Sequence, residues 1–258
     1  LADFYHNESR LFGVDSLKHD LVRSARTLDA LRWLERRERS YGAGEIVFRE
    51  GEALDCLYIV GSGWLHSSIT LKDGDRQILR FFFIGDITTT LSIAWQNSSA
   101  TLQAVSDTTL FSIPKEMFGE LFRRHPRLGA LMFAISAAEQ VALGDRLTSI
   151  SKADGFTRIA TLLLDIRSRL RVVDDLKGSS FELPLTQKDI GDAVGLTKTH
   201  VNRSLKALEA TGLVERDGRV IRITDLDRLA ELVDFRDRHH SIATDWLPAV
   251  GAPVPALT

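Results

Sequence analysis

The spacing of apolar residues changes several times along the chain. Up to about Arg39, Leu28, Leu31, Trp33 and Leu34 recur near helical spacing among charges, which predicts a helix. From Ser40 to about Ile113 the texture becomes short runs rich in Ile, Val, Phe and Thr: EIVF, LYIV, WLHSSITL, RQILRFFFI, ATLQAV and TLFSI. Each is about strand length, and glycines at 42, 44, 51, 61, 63, 74 and 85 punctuate them. Lys72-Asp73-Gly74-Asp75 supplies a hairpin turn. Several short strands at regular spacing predict a compact antiparallel β-roll of jelly-roll type.

Helical spacing returns after Pro114, which ends the last strand and opens KEMFGELFRRH; Pro126 opens a longer stretch. From Leu128 to Gly144 the only full charge is Glu139. Leu128, Leu131, Ile135, Ala138 and Ala142 keep a heptad-like stripe, and Met132, Phe133, Val141 and Leu143 fill other faces. A helix apolar on most sides must be buried on most sides. One face can cover the roll and the other meet a second subunit, since small Ala and Ser residues permit close approach. Burial wholly within one subunit is the alternative. Ile159, Leu162, Leu163, Ile166 and Leu170 form a further amphipathic stripe, followed by a polar loop after Arg171 and a linking gap before Phe181. From about Ser241 the chain carries Pro248, Pro253 and Pro255 with little pattern, and this tail is expected to be disordered.

The segment LPLTQKDIGDAVGLTKTHVNRSLKALEATGLVERDGRVIRIT is the most informative. Thr186 is a good N-cap for a short helix Gln187–Val194 that buries Ile190 and Val194 and stops at Gly195. Leu196 plugs the turn, and Thr197 caps a second helix whose buried stripe is Val201, Leu205 and Leu208. Lys198, Thr199, His200, Asn202 and Arg203 then face outward in its first turn and a half. A helix-turn-helix needs this, because its second helix presents hydrogen-bonding side chains to base edges, N-terminal end first. LVER-DG-RVIRI reads as a two-stranded wing with Asp217-Gly218 in the turn and Arg216 and Arg219 at the tip, placed to touch flanking phosphates.

Composition qualifies this picture. The 258 residues carry a net charge of −2, but Thr197–Arg222 holds six basic residues (Lys198, Arg203, Lys206, Arg216, Arg219, Arg222) against three acidic ones (Glu209, Glu215, Asp217). Local distribution governs phosphate contact. No apolar run approaches the roughly 18 residues of a membrane span and no basic-then-apolar leader opens the chain, so a cytoplasmic protein without membrane contact is expected. A single cysteine, Cys56 in the strand-like LDCLYIV, is too few for an internal disulfide or for an iron–sulfur cluster with its roughly four ligands. There is no metal-spaced His/Cys cluster, nucleophile motif or acid–base constellation, and His239 and His240 sit in a charged stretch, so neither an enzyme nor a metal or cofactor is predicted. His66 and His125 are isolated histidines, which are more often core or surface residues than ligands.

The order of parts resembles the Crp–Fnr superfamily of bacterial regulators. The likeness runs from about Leu28 to Leu232 through YGAGEIVFREGE, LYIVGSGWL, FIGDI, the long helix after HPRL, FTRIATLLL and the helix-turn-helix segment. It implies an α+β fold: an extension (1–25), a cyclic-nucleotide-binding-like β-roll (26–126), a dimerisation helix (127–153), a winged helix-turn-helix (154–235) and a tail (236–258). It also implies that Lys198, Thr199 and Arg203 read bases, the arginine by two hydrogen bonds to guanine. Relatives that bind cyclic AMP carry Gly-Glu after the Gly-Asp turn and an Arg-Ser pair further on. Here Gly85-Asp86 is followed by Ile87, Thr88, Thr89 and Thr90, and the pair becomes Ser98-Ser99. The long helix offers Leu143 and Gly144 where a purine is expected. The resemblance therefore implies a homodimeric regulator on double-stranded DNA, with RNA polymerase as a partner if it activates, and a small-molecule effector other than cyclic AMP or none. A module acting through protein contacts, its winged helix no longer binding DNA, is the alternative.

Overall fold

The computed structural model describes residues 37–88, 93–124, 126–171, 179–238 and 246. The helix expected around Leu28–Leu34, His125, Thr89, Thr90, His239, His240 and all of the tail beyond Ser241 except Trp246 lie outside them.

Among the described residues eight strands form the roll: β1 (Glu38–Tyr41), β2 (Ile46–Phe48), β3 (Cys56–Ser62), β4 (Leu65–Thr70), β5 (Arg76–Phe82), β6 (Ile87–Thr88), β7 (Thr101–Ala104) and β8 (Thr108–Pro114). They make two four-stranded sheets, β1-β8-β3-β6 and β2-β7-β4-β5, with every pairing antiparallel. The six expected runs all became strands. The β4–β5 hairpin turns where Asp73 and Gly74 predict it: Gly74 has φ +89° and the Asp73 carboxylate accepts from the Asp75 N–H at 3.1 Å. Residues Glu38 and Arg39, read as the end of a helix, lie instead in edge strand β1, paired with Phe111 and Leu110 of β8. Phe48, Leu54, Val60, Leu65, Phe82, Leu102 and Leu110 fill the space between the sheets.

Two helices follow, α1 (Lys115–Arg124) and the long α2 (Pro126–Lys152). Phe118 and Phe122 of α1 and Met132 of α2 pack with Leu57 and Ile113 on the outer side of the first sheet. Along α2, Ala134 is buried and Ile135, Ala138 and Ala142 are half-buried, whereas Phe133 is 71% exposed, Leu143 58% and Leu147 67%. The chain thus turns the stripe containing Ile135 towards itself and leaves a different apolar face uncovered. Phe133, Gln140 and Leu147 recur every seven residues on that face, interleaved with Ala137 and Gly144.

The remaining elements are α3 (Gly155–Arg171), β9 (Ser180–Glu182), α4 (Gln187–Val194), α5 (Lys198–Ala210), β10 (Val214–Asp217), β11 (Val220–Ile223) and α6 (Leu226–Leu232). The wing is three-stranded, ordered β10-β11-β9, because Ser180–Glu182, just past the expected link, pairs with β11, with Phe181 opposite Ile221. Asp217 pairs with Val220, so the turn is Gly218-Arg219 rather than Asp217-Gly218, with glycine at φ +58° in the first loop position. Besides the core between its two sheets, the roll shares a second one with the C-terminal domain. Ile78, Phe81 and Phe83 of the roll belong to one buried cluster with Ile159, Leu163, Ile190, Val201 and Ile221. Among the described residues no helix is long and apolar enough to cross a membrane.

Candidate nucleic-acid interface

Helix α4 starts with a full capping box: Thr186 Oγ1 accepts from the Asp189 N–H at 3.1 Å while the Asp189 carboxylate accepts from the Thr186 N–H at 2.9 Å. Burial raises the Asp189 carboxyl, but the Thr186 bonds and Arg76 outweigh it and hold the group below the usual carboxylate range. Gly195 ends α4 in the left-handed conformation, φ +67°. The turn is tight. A Cβ on Gly191 would lie 2.3 Å from the Leu196 carbonyl oxygen, so that position tolerates no side chain. Thr197 then caps α5, accepting weakly from the His200 N–H at 3.4 Å and lying 3.2 Å from His200 Nδ1.

Val201, Ser204, Leu205 and Leu208 bury one side of α5. Lys198, Thr199, His200 and Arg203 are exposed and Asn202 is half-exposed, on the same N-terminal turns. Lys198, Thr199, Asn202 and Arg203 make no side-chain hydrogen bond or ion pair with other described residues. The structure therefore gathers Thr197, Lys198, Thr199, His200, Asn202 and Arg203 into one polar, open surface, with Thr186 and Gln187 at the start of the neighbouring helix. The wing arginines divide. Arg219 is exposed in the turn, whereas Arg216 is drawn to Glu209 of α5, Nε to Oε1 at 3.0 Å, and so is not a free tip residue. Arg222 pairs with Glu215 at 3.3 Å on the surface.

Of the residues expected around an effector, those described lie on β6, in the loop before β7 and on α2. Thr88 is buried in β6, and Ser98 is buried with its hydroxyl donating to the Ala100 carbonyl at 2.6 Å. Ser99 is exposed. Leu143 and Gly144 lie on the uncovered side of α2, with no heavy atom within 4 Å of where a Gly144 Cβ would be. Several charged groups of the roll are already engaged. The Asp86 carboxylate accepts from the Phe83 N–H at 2.9 Å and pairs with buried Arg169 at 2.7 Å, and the Arg169 guanidinium stacks 4.6 Å over Phe83. Arg80 pairs with Glu139, and Arg76 with Asp189 and Asp192. His66 is buried with Nε2 3.2 Å from Arg76 Nη1. Burial, and then the charge of Arg76, lower its imidazole to about 4, so it is neutral near pH 7. Cys56 is half-buried, and burial raises its thiol to about 11.

A β-roll joined by a long helix to a winged helix-turn-helix, its recognition helix open to solvent, is the architecture of a DNA-binding transcription regulator. Residues 38–125 match the cyclic nucleotide-binding domain family and residues 157–232 the Crp-like helix-turn-helix domain family. The fumarate and nitrate reduction regulatory protein of Escherichia coli K12 is 28% identical over 205 residues, 80% of this chain and 82% of that protein. The transcriptional activator protein FnrA of Stutzerimonas stutzeri is 28% identical over 198 residues, 77% of this chain and 81% of its own. The structure of FixK2 from Bradyrhizobium japonicum matches with a TM-score of 0.68 at 28% identity, covering 76% of this chain and 96% of that one. The chain belongs to the Crp–Fnr superfamily. Its members are transcription regulators, not enzymes.

Proposed function

We propose that this regulator binds DNA as a homodimer and reads an inverted-repeat operator, with Lys198, Thr199 and Arg203 of each α5 at the base edges. The observation that carries it is the open row on α5: four polar side chains, two of them cationic, left without partners among the described residues, while Val201, Ser204, Leu205 and Leu208 bury the other side of the helix. Arg219, with Gln187 and the Thr186 cap, lies where flanking phosphates would pass. Arg216 contributes less, because Glu209 already neutralises it. The uncovered seven-residue repeat on α2, Phe133–Gln140–Leu147, supports a second copy as its partner. Such a protein works in the cytoplasm, and an activator would add RNA polymerase to its partners.

The roll does not respond to cyclic AMP or cyclic GMP. A cyclic phosphate taken into a closed site needs a cation or several donors to meet it. Ser98 and Ser99 stand where an Arg-Ser pair would supply one, and Arg76 and Arg80, two arginines that could replace it, are paired elsewhere. Its effector, if it takes one, is of another class. Selection of duplexes from a random-sequence pool tests the operator. Enrichment of an inverted repeat with half-site centres about 10 bp apart supports it; recovery of unpaired half-sites, or of no sequence, overturns it.

A further inference from the structure

The C-terminal end of α4 is held by three other parts of the molecule. A helix leaves its last four carbonyls without intrahelical partners, and in α4 these belong to Gly191, Asp192, Ala193 and Val194. The Gly191 oxygen accepts from the N–H groups of Gly195 and Leu196. The other three accept from side chains. Gln77 of β5 donates to the Asp192 oxygen at 2.7 Å, Arg146 of α2 to Ala193 at 2.7 Å, and Arg158 of α3 to Val194 at 3.3 Å. Two of these donors are cations placed at the negative end of the helix dipole. Arg76 of β5 grips the same helix from the side, through Asp189 at 2.5 Å and Asp192 at 2.7 Å.

Strand β5 is shaped for this. It is the edge of its sheet, and its pairing with β4 slips: Ile78 lies opposite Ser68 and Arg80 opposite Ser67, leaving Leu79 as the extra residue of a bulge. Arg146 reaches the carbonyls at that bulge, Leu79 through Nη1 and Ile78 through Nη2 at 2.7 Å. Nη2 also donates to Ala193, so one planar guanidinium joins α2, β5 and α4. The neighbouring residue on α2, Leu147, belongs to the uncovered face. Few joints thus separate that face from the recognition helix, since the Gly191–Leu196 contact leaves no slack between α4 and α5.

We propose that Arg146 and Arg76 are positioning residues for operator recognition: they key α4 to β5 and α2, and thereby fix the separation of the two α5 helices in the dimer. This rests on the dimeric reading above. It also makes the β5 bulge the place where a change in the roll is passed to the DNA-binding domain. The test uses Arg76→Ala and Arg146→Lys, the second keeping the charge but losing the fork. Dissociation constants are measured on the selected operator, on operators with one base pair inserted or removed at the centre, and on a single half-site. The wild type should favour its natural spacing by about tenfold or more, and both variants should fall to within about threefold across spacings with half-site affinity unchanged. Arg76 is the more exposed of the two, so its variant serves if Arg146→Lys fails to fold. Variants that keep the wild-type spacing preference would overturn the proposal. So would an equal loss on half-site and full operator, which would mean that the arginines only keep the domain folded. A wild type indifferent to spacing would instead defeat the dimeric reading on which the proposal stands.

Discussion

Removing the Phe133 ring should weaken dimerisation without harming the fold. Phe133 is 71% exposed in the single chain, so its side chain contributes little to the stability of one subunit and much to anything that covers it. Burying a whole phenylalanine side chain contributes about 1.5–3 kcal/mol, and the part still open to burial is roughly two thirds of that, about 1–2 kcal/mol. A symmetric interface loses the contribution twice, about 2–4 kcal/mol, which is a rise of roughly thirty- to several-hundred-fold in the dimer dissociation constant. Sedimentation equilibrium of Phe133→Ala over a range of concentrations reads this directly, with the thermal unfolding of the variant as the control. Ile135→Ala supplies the contrast. Ile135 is half-buried within its own chain, so that variant should lose stability first. If Phe133→Ala kept the wild-type dimer constant while Ile135→Ala became monomeric at unchanged stability, the seam would lie on the other stripe.

Three further outcomes follow from the roll. Asp86→Ala strips a buried arginine, Arg169, of its carboxylate and the Phe83 N–H of its acceptor, and should cost about 3–5 kcal/mol in urea unfolding; a loss below 1 kcal/mol would show the pair to be solvated. His66 is neutral in the folded chain down to about pH 4, while an unfolded histidine takes up a proton near pH 6.5. The unfolded chain therefore binds the extra proton in that window, and stability should fall by about 3 kcal/mol as the pH drops from about 6.5 to 4. His66→Gln should remove that slope, and an unchanged slope would assign it to other groups. Titration calorimetry with cyclic AMP or cyclic GMP should give no heat at millimolar nucleotide, whereas micromolar binding that also tightens operator affinity would contradict the proposed selectivity.

Much of this was legible because local rules and tertiary packing agree. The caps Thr186, Gly195 and Thr197 and the stripe Val201, Leu205, Leu208 are written in short-range chemistry, and the structure realises each. Strands with clear apolar runs were equally readable. Those that escaped, β1 (ERSY), β6 (two residues) and β9 (SFE), are short or polar and owe their conformation to the neighbour they pair with. Helix α2 is apolar on nearly every side, so its sequence could not say which stripe the roll would take; Ile135 and Phe133 exchange roles once Met132 and Ala134 pack inward. Arg216 looked like a wing-tip cation until Glu209, seven residues earlier, came within reach. The grip on α4 left no trace in the sequence. Its acceptors are backbone carbonyls at a bulge and a helix end, and its donors, Gln77, Arg146 and Arg158, lie at long or unpatterned separations.

Whether the exposed turns of α5 read DNA sequence, as proposed, is decided by one comparison of binding affinities. Equilibrium binding of wild type and Arg203→Ala is measured on the selected operator, on that operator with a single base pair changed in each half-site in turn, and on unrelated duplex. Arg203→Ala should bind the operator about 1–3 kcal/mol more weakly, lose discrimination at one base pair of each half-site, and bind unrelated duplex nearly as the wild type does. An Arg203→Ala protein with the affinity and base preference of the wild type would contradict the account.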